Sequence, residues 1–293
     1  MRLLELIKKN FGLLVKTFVK VISFFSAIIS FILLFFERKD LGIDNIWTAV
    51  TVILVVTMST IIISIFWVLI CYQSRILCKD PHIIKVQYGD IWKQAFPKKN
   101  TSKRIIVIAV NTTFDVIVDD GTVKKPLVTE KSVHGQWIKK IIDKGIKSEE
   151  MSKKIQDNLI EQGVQPLRVY SETEKTRGER KCYERGTIAV FSYANTIFYL
   201  LALSEFDDNN NAQNTKEDFI KVFSSLINFY NMNGQGYELF LTLMGTGMSR
   251  TCLSHEESLR LSKNLLEIYK DKLRGNVTIM VYNKDKDKLS LDV

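Results

Sequence analysis

Apolar and polar positions are distributed unevenly along this chain. Two stretches near the start are almost wholly apolar, and from about Lys79 the pattern changes to short alternating runs. Between Ile46 and Tyr72 no charged residue occurs over 27 positions, more than the roughly 20 that carry a helix across a hydrocarbon core. Val21 to Phe36 is also uncharged. With Lys16 and Lys20 snorkelling at its edge it predicts a second, shorter span at about 18–36. ERKDLGIDN between them is short enough to force a hairpin. A signal peptide would also pair a basic start with an apolar run, but no small-residue cleavage site follows Phe36, and the longer second stretch would still anchor the product. Arg2, Lys8, Lys9, Lys16 and Lys20 precede the hairpin and Arg75, Lys79 and Lys85 follow it, against Arg38 and Lys39 in the linker. That bias places both ends in the cytoplasm.

Downstream, near-continuous apolar runs predict strands at 82–88, 104–110, 186–194, 196–206, 237–244 and 276–283, as expected of strands covered on both faces. Helical periodicity marks 133–144, 148–162, 215–231 and 254–273. The last two open with a hydroxyl three residues before an acid, Thr215 with Asp218 and Ser254 with Glu257, the signature of a capping box. The polar stretch 163–185 reads as a mobile excursion, and FDDNNNAQN (206–214) as a loop. The organisation expected is therefore a transmembrane hairpin over 1–78 and a cytosolic three-layer αβα domain over 79–293.

The formal charge of +9 divides into +4 on the first 78 residues and +5 dispersed over the rest, so it does not mark a nucleic-acid binder. The basic arm sits instead where anionic lipid headgroups would be. Cys71, Cys78, Cys182 and Cys252 form no CxxC pair, and the only histidines are His82, His134 and His255, which argues against a metal site and fits a reducing cytosol.

Candidate chemistry starts at LMGTGMSR (243–250), a strand followed by a glycine-rich turn and a helix. Such a loop either cradles a phosphate with backbone amides or simply turns the chain. Arg250 is a phosphate partner or a solvated surface cation. Three further stretches, QYGDIW (87–92), AVNTTFD (109–115) and SVHGQW (132–137), read as lying at the carboxyl ends of strands, where open α/β sheets bind ligands. Asp90 is suited to accept hydrogen bonds from an adenine or to cap the following turn. Asn111 is suited to a ribose hydroxyl or to a turn. His134 and Gly135 stand before a helix, placed for a pyrophosphate or for packing.

Taken together, GDI after an early strand, a strand ending in VN, a glycine-containing loop opening a helix, and GTGMSR after a late strand resemble the macro domain, an ADP-ribose-binding fold with a mixed sheet. Two transmembrane helices ahead of it, with YERGT (183–187) and GTGMSRTCLS (245–254), resemble the membrane-anchored macro effectors of Thoeris antiphage defence. The resemblance implies that a partner TIR-domain enzyme makes an ADP-ribose-based signal, histidine-ADP-ribose, that this domain binds. It further implies Asp90 and Ile91 at the adenine, Asn111 at the distal ribose with Thr112 among the ligand-binding residues, and His134, Gly135 and Gln136 on one side of the diphosphate. Gly245, Thr246, Gly247, Met248 and Ser249 would close over the other side, Tyr282 and Asn283 would lie against the adenine, and Arg250, Gln136 and residues of 145–180 are candidates to read the substituent on the ADP-ribose. Macro domains that hydrolyse ADP-ribosyl bonds commonly carry Asn-Ala-Ala-Asn and a run of glycines. Here Asn111-Thr112-Thr113-Phe114 and a lone Gly135 stand in their place, so no catalytic residue and no cofactor are assigned, and Asp115, Asp119 and Asp120 are the only candidates to position a water.

Two helices alone cannot enclose water, so permeability would require a homo-oligomer in the bacterial inner membrane. Ser23, Ser26 and Ser30, and likewise Thr57, Thr60 and Ser64, share helix faces that either pack helices closely or line a pore. The leading expectation is a ligand-gated effector that disrupts the membrane and aborts infection. The alternatives are a membrane-tethered ADP-ribosyl hydrolase and a structural adaptor.

Overall fold

The structure is a computed structural model describing residues 2–37, 39–43, 45–99, 102–120, 122–123, 126–206, 212–213, 215–246 and 253–292. It separates into two compact units, 1–75 with 284–293, and 76–283. The segment after residue 283 thus groups with the first unit.

In the first unit, a short helix α1 (Arg2–Lys9) leads into α2 (Phe11–Ile32), and α3 (Ile46–Phe66) continues through a π-helical turn, Trp67–Cys71. Both long helices are long and apolar enough to cross a membrane. At 22 residues, α2 spans about 33 Å, close to the thickness of a hydrocarbon core. It starts earlier than the expected span and stops at Ile32, because lysine is a good helix former and nothing between Phe11 and Val21 breaks the backbone ladder. After Ile32 the chain tightens, with Leu34 N donating to Phe31 O and Phe35 N to Ile32 O.

Asn45 caps α3 in a reciprocal box with Thr48. Where α2 meets α3, Leu14, Thr60, Ser64 and Val68 are buried. The Thr60 hydroxyl donates to Val56 O at 2.8 Å and the Ser64 hydroxyl to Thr60 O at 2.7 Å. These small residues satisfy themselves within their own helix and let the helices approach. Ser23, Ser26 and Ser30 are exposed.

The second unit is built on one mixed sheet with the order β1-β2-β12-β11-β3-β9-β10 and β8 on β9. Its strands are β1 (Ser74–Cys78), β2 (Ile84–Gly89), β3 (Arg104–Asn111), β8 (Ile188–Tyr193), β9 (Thr196–Phe206), β10 (Ala212–Gln213), β11 (Glu238–Thr242) and β12 (Val277–Tyr282). Small two-stranded pairs, β4 (Val118–Asp119) with β5 (Val128–Thr129) and β6 (Arg168–Val169) with β7 (Lys181–Cys182), lie outside it. From β2 through β9 every neighbouring pair is parallel, while β8 and β10 run antiparallel to β9.

Helices α4 (Ile91–Ala95), α5 (Val133–Ile142) and α6 (Ser148–Glu161) cover one face, and α7 (Lys216–Asn233) and α8 (His255–Tyr269) belong to the other. Strand alternation explains the layering. Ile106, Ile108 and Val110 of β3 join Trp137, Ile138 and Ile141 of α5 and Met151, Ile155 and Leu159 of α6 in one core, while Tyr199 of β9 turns the other way and meets Phe229 of α7 at 5.1 Å. All six expected strands and four expected helices are present, and the capping boxes at Thr215 and Ser254 both form. The result is a three-layer α/β fold with a mixed sheet, preceded by two apolar helices.

Trp137 is fully buried, with its ring 5.4 Å from Phe191 and 5.8 Å from Phe198. Trp137→Ala is expected to cost about 3–5 kcal/mol, measured as a lowered urea midpoint at unchanged slope.

The stretch 163–185, expected to be mobile, forms a hydrogen-bonded hairpin instead. Leu167 N donates to Cys182 O and Tyr170 N to Arg180 O, Arg168 pairs with Glu174, and Glu174 accepts from Ser171 N at its turn. Its charges find partners within the hairpin and on the segment that follows β3.

Candidate functional site

Parallel strands bring several of the candidate residues to one carboxyl edge. At the end of β2, Gly89 is in register with Tyr282 of β12, and a Cβ on Gly89 would sit 2.4 Å from Met280 Cε. Asp90 follows and caps α4, its Oδ1 accepting from Trp92 N at 2.9 Å. Ile91 turns its side chain into the core, so only its backbone amide faces the edge as a helix-terminal donor. Tyr282 is 48% exposed on a strand that lies between β2 and β11, which makes it an interior-strand aromatic rather than an edge residue. Asn283 opens the 3-10 turn Asn283–Asp285.

Next along the edge, β11 delivers Met244, whose carbonyl accepts from Ser258 of α8 at 2.7 Å. Gly245 then takes φ +80°, a left-handed conformation that favours glycine, and the Thr246 hydroxyl donates back to Leu243 O at 3.4 Å. Gly247, Met248, Ser249 and Arg250 lie outside the described residues.

SVHGQW does not follow a strand of the main sheet; it follows the two-residue β5, because the chain between β3 and α5 pairs with itself as β4 and β5. Ser132 caps α5 by accepting from Gly135 N at 2.9 Å, and its own hydroxyl donates to Thr129 O at 2.7 Å. The approach is so close that a Cβ on Gly135 would lie 2.2 Å from Thr129 O. With the Gly135 amide engaged by the cap, the first-turn amides of Val133 and His134 are the ones without an intrahelical acceptor. Gln136 Oε1 accepts from Trp92 Nε1 at 2.9 Å, and Lys140 stands 5.4 Å over the Trp92 ring. Trp92 therefore ties the α4 cap to the start of α5.

At the end of β3 the register shifts between Val110 and Asn111. Asn111 closes a buried turn: its Oδ1 accepts from Asp115 N at 3.0 Å and its Nδ2 donates to Asp115 Oδ2 at 2.8 Å. Thr112 is buried, donating its amide to Ser204 O and accepting at its carbonyl from Tyr183 N. Phe114 adopts φ +53° with its ring edge-on to Tyr183 at 5.7 Å.

Asp115 is fully buried. Besides Asn111, its carboxylate accepts from the Thr113 hydroxyl at 2.6 Å, from Lys175 Nζ at 2.7 Å and from Glu179 N at 2.7 Å. Lys175 also donates to the Thr113 hydroxyl oxygen at 2.8 Å. Between them Gly178, at φ +77°, brings the hairpin backbone so near that a Cβ would stand 2.2 Å from Asp115 Oδ1. Arg177 pairs with Asp119, whose other oxygen accepts from Leu127 N at 2.8 Å. Asp120 accepts from Thr122. Asp115 and Asp119 thus pin the 166–182 hairpin, their carboxylate oxygens occupied by donors from the protein itself.

His134 is 7% exposed and its ring stacks on Trp137 at 6.3 Å. Burial pulls its pKa down from 6.5 to about 4, with Asp115 pulling the other way. The imidazole is therefore neutral at pH 7, and the unfolded chain binds the extra proton between the two values. Stability is present at neutral pH and is lost as pH falls from 6.5 to about 4, a loss on the order of 3 kcal/mol. Urea midpoints at pH 7 and pH 4 are expected to differ less in His134→Gln, which carries no titrating ring, than in the wild type.

Residues 84–282 match the family described as "Thoeris protein ThsA, Macro domain". The chain belongs to that family. It is 25% identical over 258 residues to the Thoeris protein ThsA of Bacillus amyloliquefaciens (strain Y2), an alignment covering 85% of this chain and 80% of the relative. Among solved structures it is similar to the Oceanobacillus iheyensis macrodomain with ADP, at 9% identity and TM-score 0.44 over 73% of this chain and 90% of that one. It is also similar to the Trypanosoma brucei macrodomain in complex with ADP-ribose, at 12% identity and TM-score 0.38 over 74% and 72%.

Within this ThsA macro domain, Asp90, Asn111, Gly245, Thr246 and Tyr282 reach the carboxyl edge, and Gln136 joins them through Trp92. Ile91, Thr112 and Gly135 are placed there by backbone geometry, with their side chains or amides engaged in packing or capping. Sequence reasoning missed Trp92 and the Lys175-Thr176-Arg177-Gly178-Glu179 stretch. A glycine set among alternating charges, TRGE, was the available signal for a close backbone approach to a buried acid.

Proposed function

We propose that this protein is a membrane effector of Thoeris antiphage defence whose macro domain senses an ADP-ribose conjugate, histidine-ADP-ribose, supplied by a TIR-domain enzyme. The observation that carries this reading is the convergence on one carboxyl edge of the Asp90 cap, the left-handed Gly245 turn and the exposed Tyr282, with the Trp92–Gln136 bond drawing in the capped start of α5. That edge is where α/β sheets bind ligands, and free helix-terminal amides favour a diphosphate. Asp90 and the Ile91 amide would hold the adenine and Tyr282 with Asn283 would cover it. The Val133 and His134 amides and the loop Gly245 to Ser249 would enclose the diphosphate, and Asn111 would border the distal ribose.

The two apolar helices span the inner membrane of the bacterium with both ends cytoplasmic, and oligomerised hairpins disrupt it after the signal binds, which aborts infection. Binding gates the membrane only if the ligand prefers the assembled state to the resting one. The four-donor shell on Asp115 favours retention of the ligand over hydrolysis. Incubation of the full chain, reconstituted in vesicles, with histidine-ADP-ribose separates the readings. The effector returns the ligand intact by chromatography and releases trapped dye, whereas a tethered hydrolase liberates ADP-ribose.

A further inference from the structure

The segment that leaves β12 ties α2 to the residues just after α3. Asp292 forms ion pairs with Lys16 Nζ of α2 at 3.3 Å and with Arg75 Nη1, just beyond α3, at 2.7 Å. Arg75 Nη1 also donates to Leu291 O at 3.2 Å, and Lys286 Nζ donates to Gln73 Oε1 at 2.7 Å. Leu289 and Leu291 are fully buried, and the Ser290 hydroxyl accepts from Asp292 N at 3.1 Å. The linker through 33–45 joins α2 and α3 at one end; at the other, the strap joins α2 to Gln73 and Arg75, which follow α3.

The strap's composition matters. Lys16 is 69% exposed and Arg75 34% exposed, so its ion pairs are individually weak and reversible. The two leucines give it a defined seat. It starts at Lys284, two residues after Tyr282, and β12 lies between β2 and β11, the strands that lead to Asp90 and Gly245. A ligand seated against Tyr282 therefore bears on the strand from which the strap departs.

We infer that residues 284–292 are an autoinhibitory clasp, holding α2 and α3 together at the base of the hairpin, and that its release is the step by which occupancy of the macro domain reaches the membrane. This rests on the effector reading above. A two-state device of this kind needs a closed state favoured modestly enough for a ligand to overturn it, which a leucine seat plus half-exposed ion pairs supplies.

The test uses the full chain in vesicles of phosphatidylethanolamine and phosphatidylglycerol loaded with a self-quenched dye. Asp292→Lys places a cation between Lys16 and Arg75, and is expected to raise ligand-free leakage at least tenfold while histidine-ADP-ribose affinity stays within twofold of wild type. Reversing all three charges, Lys16→Glu with Arg75→Glu and Asp292→Arg, is expected to return leakage to the wild-type level. Asp292→Asn, which removes the charge without reversing it, gives an intermediate leak and keeps the test readable if the lysine variant does not insert. Wild-type leakage without ligand in both Asp292 variants overturns the clasp, as does loss of ligand-triggered leakage with no rise in the ligand-free rate. Failure of wild type to leak on adding ligand counts against the sensing reading instead, since the clasp is read from the ligand-free rates.

Discussion

Asp115→Asn is expected to lower the stability of the macro domain by about 3–5 kcal/mol, because it leaves the Lys175 ammonium, only 16% exposed, without its counter-charge. The loss is larger than that of a surface ion pair, which contributes about 0–1 kcal/mol. The carboxylate is fully buried and holds three side-chain donors and one backbone amide. Against the 5–15 kcal/mol typical of a folded domain this is a large fraction, and for about 200 residues it corresponds to a melting point lower by roughly 10 °C. Lys175→Met alone strands the acid and is expected to do comparable damage. The double variant Asp115→Asn with Lys175→Met should recover part of the loss, since it buries no unpaired charge. A purely additive double mutant in thermal melts would mean that the hairpin is held by other contacts.

Gly135→Ala is the second large effect, and it acts on the site as well as on stability. The new methyl would lie 2.2 Å from Thr129 O and 2.9 Å from Thr129 C, backbone atoms that cannot rotate away. The start of α5 must shift, losing the Ser132 cap, which is worth about 1 kcal/mol, and straining the packing by about 1–3 kcal/mol more. Because the same shift displaces the Val133 and His134 amides, affinity for histidine-ADP-ribose is expected to fall at least a hundredfold. A variant that melts lower yet binds as tightly as wild type would remove α5 from the binding site.

The sheet was legible because its strands carry near-continuous apolar runs of ordinary strand length, and RIIVIAV or NVTIMVYN has no other economical reading. Helix starts were legible wherever a hydroxyl and an acid stood three apart, as at Thr215 and Ser254. The hairpin of 166–182 was not legible: its order comes from Asp115, some 60 residues away in sequence, and local polarity suggested only a solvated loop. Asn111 shows the same limit. Its type suited either a turn or a ribose hydroxyl, and only the structure places its amide against Asp115. The strap of 284–292 was not legible because KDKDKLSLDV is mostly charged, and its partners Lys16, Gln73 and Arg75 lie more than 200 residues earlier.

Calorimetric titration of the full chain with histidine-ADP-ribose, beside Gly247→Glu, tests the central claim most directly. The full chain is required because residues 284–292 group with residues 1–75. The account predicts saturable one-site binding by wild type, with the ligand recovered unchanged. It predicts at least a hundredfold weaker binding when a negatively charged side chain enters the glycine loop. Equal affinity of the two proteins, or no binding by the folded wild type, would contradict it.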